Sequence, residues 1–321
     1  MAAPRLKLGF VLLDEFTLTA FSGLVDAVRL AADHGGRSRK INASWTVMSV
    51  EAKPRRSSCG VVISELRALS DPASFDYIAV CGGNGYLNTE PSAELARFLT
   101  EAVAASVRLL GVCTGTFAIA QSGLVGDRKV CVHWNVLDAF RAQFPDITAS
   151  TDQLFIDEGD LITCAGSTAA IDLGLHLIAR HCGRDKAKQV VRHMMLNDAR
   201  SPAAPQAHFY ASLDGIQDVR VRQAAHFMEQ RLDAPPRIEA VSRYVGIGPR
   251  QLERCFHKAL GKSPTSFQRQ LRLDYGGWLL RNSAIPIAQI ALDCGFSDAA
   301  HFARDFRAHS GMTPREFRRS S

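Results

Sequence analysis

The feature that most constrains this chain is an imperfect repeat in its last hundred residues. Leu252, Phe256, Gly261, Pro264 and Phe267 recur fifty positions later as Phe302, Phe306, Gly311, Pro314 and Phe317. Two copies of one helical unit at that spacing, each with a basic helix, read as a paired helix-turn-helix. The charge is divided in the same way. Residues 218–321 carry 17 Lys and Arg against 10 Asp and Glu, a net +7, while residues 1–217 carry 21 against 22, a net −1. The basic excess therefore belongs to the repeat, where a polyanionic partner is expected.

In the first copy, Ile238–Val245 reads as a short helix, residues 246–248 as a turn, and Pro249–Leu260 as a second helix with proline at its favoured first position. Its apolar stripe is Leu252, Cys255, Phe256 and Ala259, while Arg250, Arg254 and Lys258 fall four apart on another face. In the second copy, Ile287–Cys294 leads into the turn Gly295–Phe296. Ser297 is expected to cap a helix from Asp298 to about His309. Phe302 and Phe306 point inward, and His301, Arg304 and Arg307 share an outward face. A helix presenting arginines four apart can enter a major groove, where Arg forms bidentate bonds to guanine. Two such helices about 34 Å apart would reach successive turns of one duplex face.

The first two hundred residues follow another plan. Leu6–Leu13, Trp45–Val50, Tyr77–Cys81 and Arg108–Val112 read as strands, with helices at Ala20–Ala32 and Ala93–Ala104. Alternation of that kind predicts a mainly parallel sheet with helices on both faces. Leu154–Asp157 and Leu161–Thr163 predict a hairpin, followed by helices Thr168–Arg180 and Lys186–Leu196, the first capped by Ser167 or Thr168. Between Ala199 and Gly215 the pattern lapses into Ser, Pro, Ala and Gln. The expected organisation is a domain over 1–198, a linker over 199–217 and a helical domain over 218–321.

The eight cysteines form no CxxC pair and no zinc spacing, and several sit in apolar runs as reduced core thiols do. The apolar run at the start is short, is interrupted by Lys7, and cannot span a bilayer. A reduced, cytoplasmic protein with no membrane partner, no metal and no cofactor is the expectation.

Cys113 stands out. The stretch RLLGVCTGTFAIAQ places it between an apolar strand and a helix. A thiol at such an elbow lies near a helix N-terminus, whose dipole favours the thiolate. The turn Cys81–Gly82–Gly83–Asn84 follows another strand and opens onto the same sheet edge, where ligands of open α/β sheets gather. His133 can bring a ring nitrogen there, and Trp134 an aromatic face for a cation. Each also has a purely structural reading, His133 as a hydrogen-bonded core histidine and Trp134 as packing.

The run QIALDCGFSDAAHFARDFRAHSGMTPREFR (Gln289–Arg318) resembles the signature of the AraC/XylS family of bacterial transcription regulators. CGGNG, GVCTGTFAIAQSGL, VHWN and TCAGSTAAID, spread over most of residues 5–195, resemble the PfpI family of the class I glutamine amidotransferase-like fold. Together they resemble a GlxA-type regulator. The resemblance implies a flavodoxin-like α/β sandwich followed by a smaller all-α domain with two helix-turn-helix units. It implies DNA contacts by Arg250, Gln251, Arg254 and Lys258, then by Ala300, His301, Arg304 and Arg307. The implied partners are a promoter operator, RNA polymerase, a second copy of the chain as a homodimer, and a small-molecule effector. The effector, an amino acid or quaternary amine, would meet Gly83, Asn84, Cys113, Thr114, His133 and Trp134.

PfpI-type enzymes pair the elbow cysteine with a histidine, which Cys113 and His133 match, and with an acidic residue early in the first helix. That acidic position falls at about Ala20, so Asp14, Glu15 or Asp26 would have to replace it. The loss favours a regulator that is not an enzyme. A cysteine-dependent amidase and a thiol-based stress sensor are the alternatives.

Overall fold

The computed structural model describes residues 4–35, 37–87, 92–204, 206 and 216–319. The chain divides into two compact units, residues 1–206 and 207–321.

In the first unit β1 (Leu6–Leu12), α1 (Leu18–Ala31), β2 (Ala43–Met48), β3 (Arg55–Arg56), β4 (Val62–Ile63) and β5 (Tyr77–Cys81) come first. They are followed by α2 (Ala93–Ala104), β6 (Arg108–Val112), α3 (Gly115–Gln121), β7 (Val130–Cys131), α4 (Leu137–Gln143) and β8 (Ala149–Ser150). β9 (Phe155–Asp157), β10 (Leu161–Cys164), α5 (Ala169–Cys182) and α6 (Arg184–His193) complete it. Six strands form one sheet in the order β2-β1-β5-β6-β10-β9. Every neighbouring pair is parallel except β9 and β10, which form the expected antiparallel hairpin. β5 is buried throughout and β1 at every residue but Lys7, as strands covered on both faces must be. One core joins Leu8 and Phe10 of β1 to Phe21 and Leu24 of α1 and to Leu173 and Leu177 of α5. This is the mainly parallel α/β architecture that the alternating pattern predicts.

Two expectations shift. Thr168 stands at the N-cap of α5 without a capping side-chain bond; its hydroxyl accepts from Arg200 Nη2 instead (3.0 Å). The start of the expected linker is also fastened to the first unit. The Arg200 backbone N–H and guanidinium both donate to the buried carboxylate of Asp172 (2.7 and 2.6 Å). The buried Gln206 amide donates to Val132 O (2.9 Å) and accepts from the Trp134 backbone N–H (2.9 Å). Residues 205 and 207–215 of that linker lie outside the described residues.

The second unit is helical: α7 (Val219–Glu229), α8 (Ile238–Tyr244), α9 (Pro249–Leu260), α10 (Pro264–Asn282), α11 (Ile287–Asp293), α12 (Ala299–Ser310) and α13 (Pro314–Arg319). The repeat explains the pairs. Gly261 and Gly311 sit just past α9 and α12 in the left-handed region (φ 68° and 77°), where a side chain would be strained. Phe256 and Phe267 meet edge to face in the first half (5.5 Å), as Phe306 and Phe317 do in the second (5.1 Å). α10 belongs to both halves. Phe267 and Leu271 lie in the first core, Leu273, Leu279 and Leu280 in the second. In α9 the buried stripe narrows to Leu252 and Phe256, with Cys255 half-buried and Ala259 exposed, because Ala259 lies in the last turn beyond the core. α12 is capped by Asp298, not Ser297: Asp298 Oδ1 accepts from the His301 backbone N–H (2.7 Å), while Ser297 donates to the same carboxylate.

Candidate functional site

The carboxyl edge of the sheet is built by three tight turns. After β1, Phe16 bridges to Gly83 and to Ser57. The Thr17 N–H donates to Gly82 O (3.0 Å) and the Asn84 N–H to Glu15 O (3.0 Å). Only glycine fits at 83, since a Cβ there would lie 1.8 Å from Glu15 O. After β6 the chain turns sharply at Cys113, a non-glycine residue at φ 55°. Thr114 then donates its hydroxyl to Gly83 O (2.6 Å), tying the elbow to the neighbouring turn.

Cys113 is buried, and the group beside its sulfur is the Thr17 hydroxyl (Oγ1···Sγ 3.4 Å). Burial pushes the Cys113 thiol up from its ordinary value, against weaker downward pulls from Thr17 and the Thr114 N–H. The expected thiolate is therefore not favoured: desolvation outweighs the two hydrogen bonds that pull the thiol down. Among the described residues, no hydrogen bond joins a carboxylate to Cys113. Ala20 is buried, and the first turn of α1 has no acidic residue. Asp14 pairs with Arg55 (3.0 Å), Asp26 with Arg29 (2.7 Å), and Glu15 is exposed. His133 is occupied elsewhere: its Nδ1 accepts from the Asn135 N–H (3.2 Å), and its ring lies 5.2 Å from that of Trp134. Burial lowers its pKa, which favours the neutral ring. Among the described residues, no hydrogen bond joins His133 to Cys113.

Beside the elbow lies an open cavity of about 270 Å³. Leu12, Leu13, Val50, Leu95, Phe117 and Ala118 give it apolar walls, and Asp14, Glu51, Arg55, Tyr86 and Gln121 supply polar groups. The Tyr86 and Phe117 rings sit 4.6 Å apart. Of the residues expected around a ligand, Gly83 and Thr114 line this cavity; Asn84, Cys113, His133 and Trp134 do not. No sequence pattern marks Thr17, Arg55 or Tyr86. Arg55 lies in a two-residue strand with no periodicity to mark it, and Thr17 is an ordinary residue ahead of a helix.

In the second unit, Arg250, Gln251, Arg254 and Lys258 of α9 are exposed, as are Ala300, Arg304 and Arg307 of α12. His301 is half-buried, with Nε2 3.4 Å from Asp305 and its ring edge-on to Phe296. Beneath α12, the buried Asp305 carboxylate accepts from Arg269 of α10 (2.5 and 2.8 Å). Arg272 of α10 donates to Cys294 O and Gly295 O (2.6 Å each), closing the end of α11 at the turn before α12. These bonds fix the second helix-turn-helix on α10. No helix among the described residues is long and apolar enough to cross a membrane.

Residues 8–180 match the DJ-1/PfpI family, and residues 241–320 match a helix-turn-helix domain family. The chain is 31% identical to the HTH-type transcriptional regulator GbdR of Pseudomonas aeruginosa, over 97% of this chain and 84% of that one. It is 31% identical to CdhR of the same species (96% and 90% covered) and 27% to GlxA of Rhizobium meliloti (98% and 96%), both also HTH-type transcriptional regulators. The fold is shared with an AraC family transcriptional regulator from Pseudomonas putida (TM-score 0.51, 22% identity, 59% of this chain and 99% of that one). It is shared too with a ThiJ/PfpI family protein from Pseudomonas syringae (TM-score 0.53, 20% identity, 77% and 92%). Both halves and the nearly full-length relatives agree: the chain belongs to the HTH-type transcriptional regulators that join a DJ-1/PfpI domain to an AraC-type helix-turn-helix domain.

Proposed function

We propose that this regulator senses a small molecule, an amino acid or a quaternary amine, at the sheet edge of its DJ-1/PfpI domain, and answers by activating catabolic genes. The observation that carries the reading is the cavity of about 270 Å³ beside an elbow where, among the described residues, neither a histidine nor a carboxylate bonds the cysteine. A concave site with mixed apolar and polar walls is built to bind, and without a base or carboxylate at the thiol it has little means to turn over. Effector binding shifts the protein only if it favours one state over another. Operator contacts are assigned to Arg250, Gln251, Arg254 and Lys258 of α9, and to Ala300, His301, Arg304 and Arg307 of α12. A cytoplasmic homodimer that recruits RNA polymerase completes the reading, with a domain over 1–198, a linker over 199–217 and a reader over 218–321.

The test is a thermal-shift screen of the full chain against amino acids and quaternary amines, followed by operator binding with each hit. A ligand that binds only the folded protein raises its Tm by mass action. A hit that survives Cys113→Ala and changes operator affinity or occupancy supports the reading. One observation favours the cysteine-hydrolase alternative, the left-handed backbone at Cys113. Turnover of an amide substrate, abolished by Cys113→Ala, would establish that reading in place of the sensor.

A further inference from the structure

The cavity holds one guanidinium that is not fully used. Arg55 donates through Nη1 to both oxygens of Asp14 (3.0 and 3.1 Å) and weakly through Nη2 to Val50 O (3.3 Å). Its Nε is buried and has no hydrogen-bond partner among the described residues. A buried donor without an acceptor is costly, so this arrangement leaves a favourable bond unmade. The approach to Arg55 is strained as well: Glu51 and Ala52, two successive non-glycine residues, hold φ values of 63° and 54°. Opposite charge lies close by, in the half-exposed Asp14 carboxylate and in Glu51, whose carboxylate is itself paired with Lys53. Tyr86 and Phe117 add an aromatic wall.

We propose that Arg55 anchors the carboxylate of a compact zwitterionic effector by turning its Nε–Nη2 edge onto it, and that Asp14, retained on Nη1, faces the effector's cationic group. A carboxylate fits a guanidinium edge through two parallel bonds. It would satisfy Nε and replace the weak bond to Val50 O, drawing the strained arm that carries Glu51 and Ala52 toward the ligand. A bare carboxylate gains the anchor but meets Asp14 as a like charge, Glu51 being paired with Lys53. A bare cation gains Asp14 and the rings but leaves Nε unmet. A zwitterion satisfies both, and the cavity, smaller than the roughly 300–1,000 Å³ of drug-sized sites, suits one of amino-acid size. This inference rests on the sensor reading above and specifies its ligand site.

The test is calorimetric titration of the full chain with matched probes. Glycine betaine is compared with choline, which lacks the carboxylate, and with 3,3-dimethylbutanoate, its isostere without the positive charge. L-Arginine is compared with agmatine. At least one zwitterion should bind about ten-fold or more tightly than its counterparts. Arg55→Gln should weaken that zwitterion by about ten- to a hundred-fold, the loss expected for a charge-assisted bond, while choline or agmatine binds no more weakly, because the Asp14 carboxylate is freed from its partner. Asp14→Asn should narrow the preference for betaine over 3,3-dimethylbutanoate. Unchanged circular dichroism and Tm certify each variant's fold, and Arg55→Lys, which keeps the charge but not the fork, should fall between. Zwitterion binding within two-fold of wild type in both Arg55 variants overturns the anchor and leaves the sensor reading standing, provided the ligand still alters operator binding. A wild-type chain that binds none of the five probes overturns the zwitterion assignment, and the sensor reading then stands or falls on the wider thermal-shift screen.

Discussion

Cys113 and Cys59 show how environment separates two thiols of one chain. Cys113 has the conspicuous position, after a strand and before a helix, yet it is buried and its thiol is pushed up. Cys59, unremarkable in sequence, is exposed in the turn between β3 and β4. A hydrogen bond with Ser57 Oγ (3.2 Å) and the Val61 N–H pull its thiol down. Because the thiolate is the nucleophile, brief iodoacetamide treatment at neutral pH should label Cys59 first and leave Cys113 untouched until the protein unfolds. Peptide mass spectrometry reads the order, and early labelling of Cys113 would show that its burial is not maintained in solution. On the reader, Arg304 is exposed on α12 with Nε 4.0 Å from Asp305, free to turn to a base edge. Arg304→Ala should cost about 1–3 kcal/mol at one base pair of the operator. Competition among single-base operator variants checks this, and an equal loss on every sequence would mean a phosphate contact.

At the scale of elements, α10 supports the reader. Burial alone would raise the pKa of Asp305, but the hydrogen bond and charge of Arg269, with His301 and Arg304 nearby, overcome it and hold the carboxyl below its ordinary value. A carboxyl depressed in the folded state contributes stability above its unfolded pKa and loses it as pH falls through the folded one. Acid should therefore loosen α12 below about pH 4, and Asp305→Asn should remove that acid step. Arg269 is more than half exposed, which softens the loss, so the variant should cost about 2 kcal/mol near neutral pH in denaturant unfolding. Elements with strong periodicity were legible in advance: Tyr77–Cys81, Ala93–Ala104, Arg108–Val112 and Pro249–Leu260 have the bounds that their patterns predict. Those held by tertiary contacts were not. β3 and β4 are two residues each and carry no period. The cap of α12 passed from Ser297 to Asp298 because both side chains can accept there, and only the fold decides between neighbours.

At the scale of the molecule, the division of charge was readable from composition, as was the division into a sheet domain and a helical one. The cavity beside the elbow was not, because it is assembled from turns after β1, β5 and β6 and from the arm that carries Arg55, which no local pattern joins. The net +7 of residues 218–321 implies that salt weakens operator binding through released counterions. The exposed Lys258 should account for about one of those ions, so Lys258→Ala should reduce the slope of log K against log salt by about 1. A wild-type slope in that variant would remove Lys258 from the interface. α10 has a last consequence, one of screw pitch. An α-helix advances about 1.5 Å for each 100° of turn, whereas duplex DNA advances about 34 Å per full turn. One residue inserted into the middle of α10 would swing the second reading helix by about 100° while moving it only about 1.5 Å. Even with α10 laid parallel to the duplex, adding three base pairs to the operator restores nearly that angle but overshoots the distance several-fold. The two screws have no common step, so a register error in α10 should have no suppressor among operators of altered spacing.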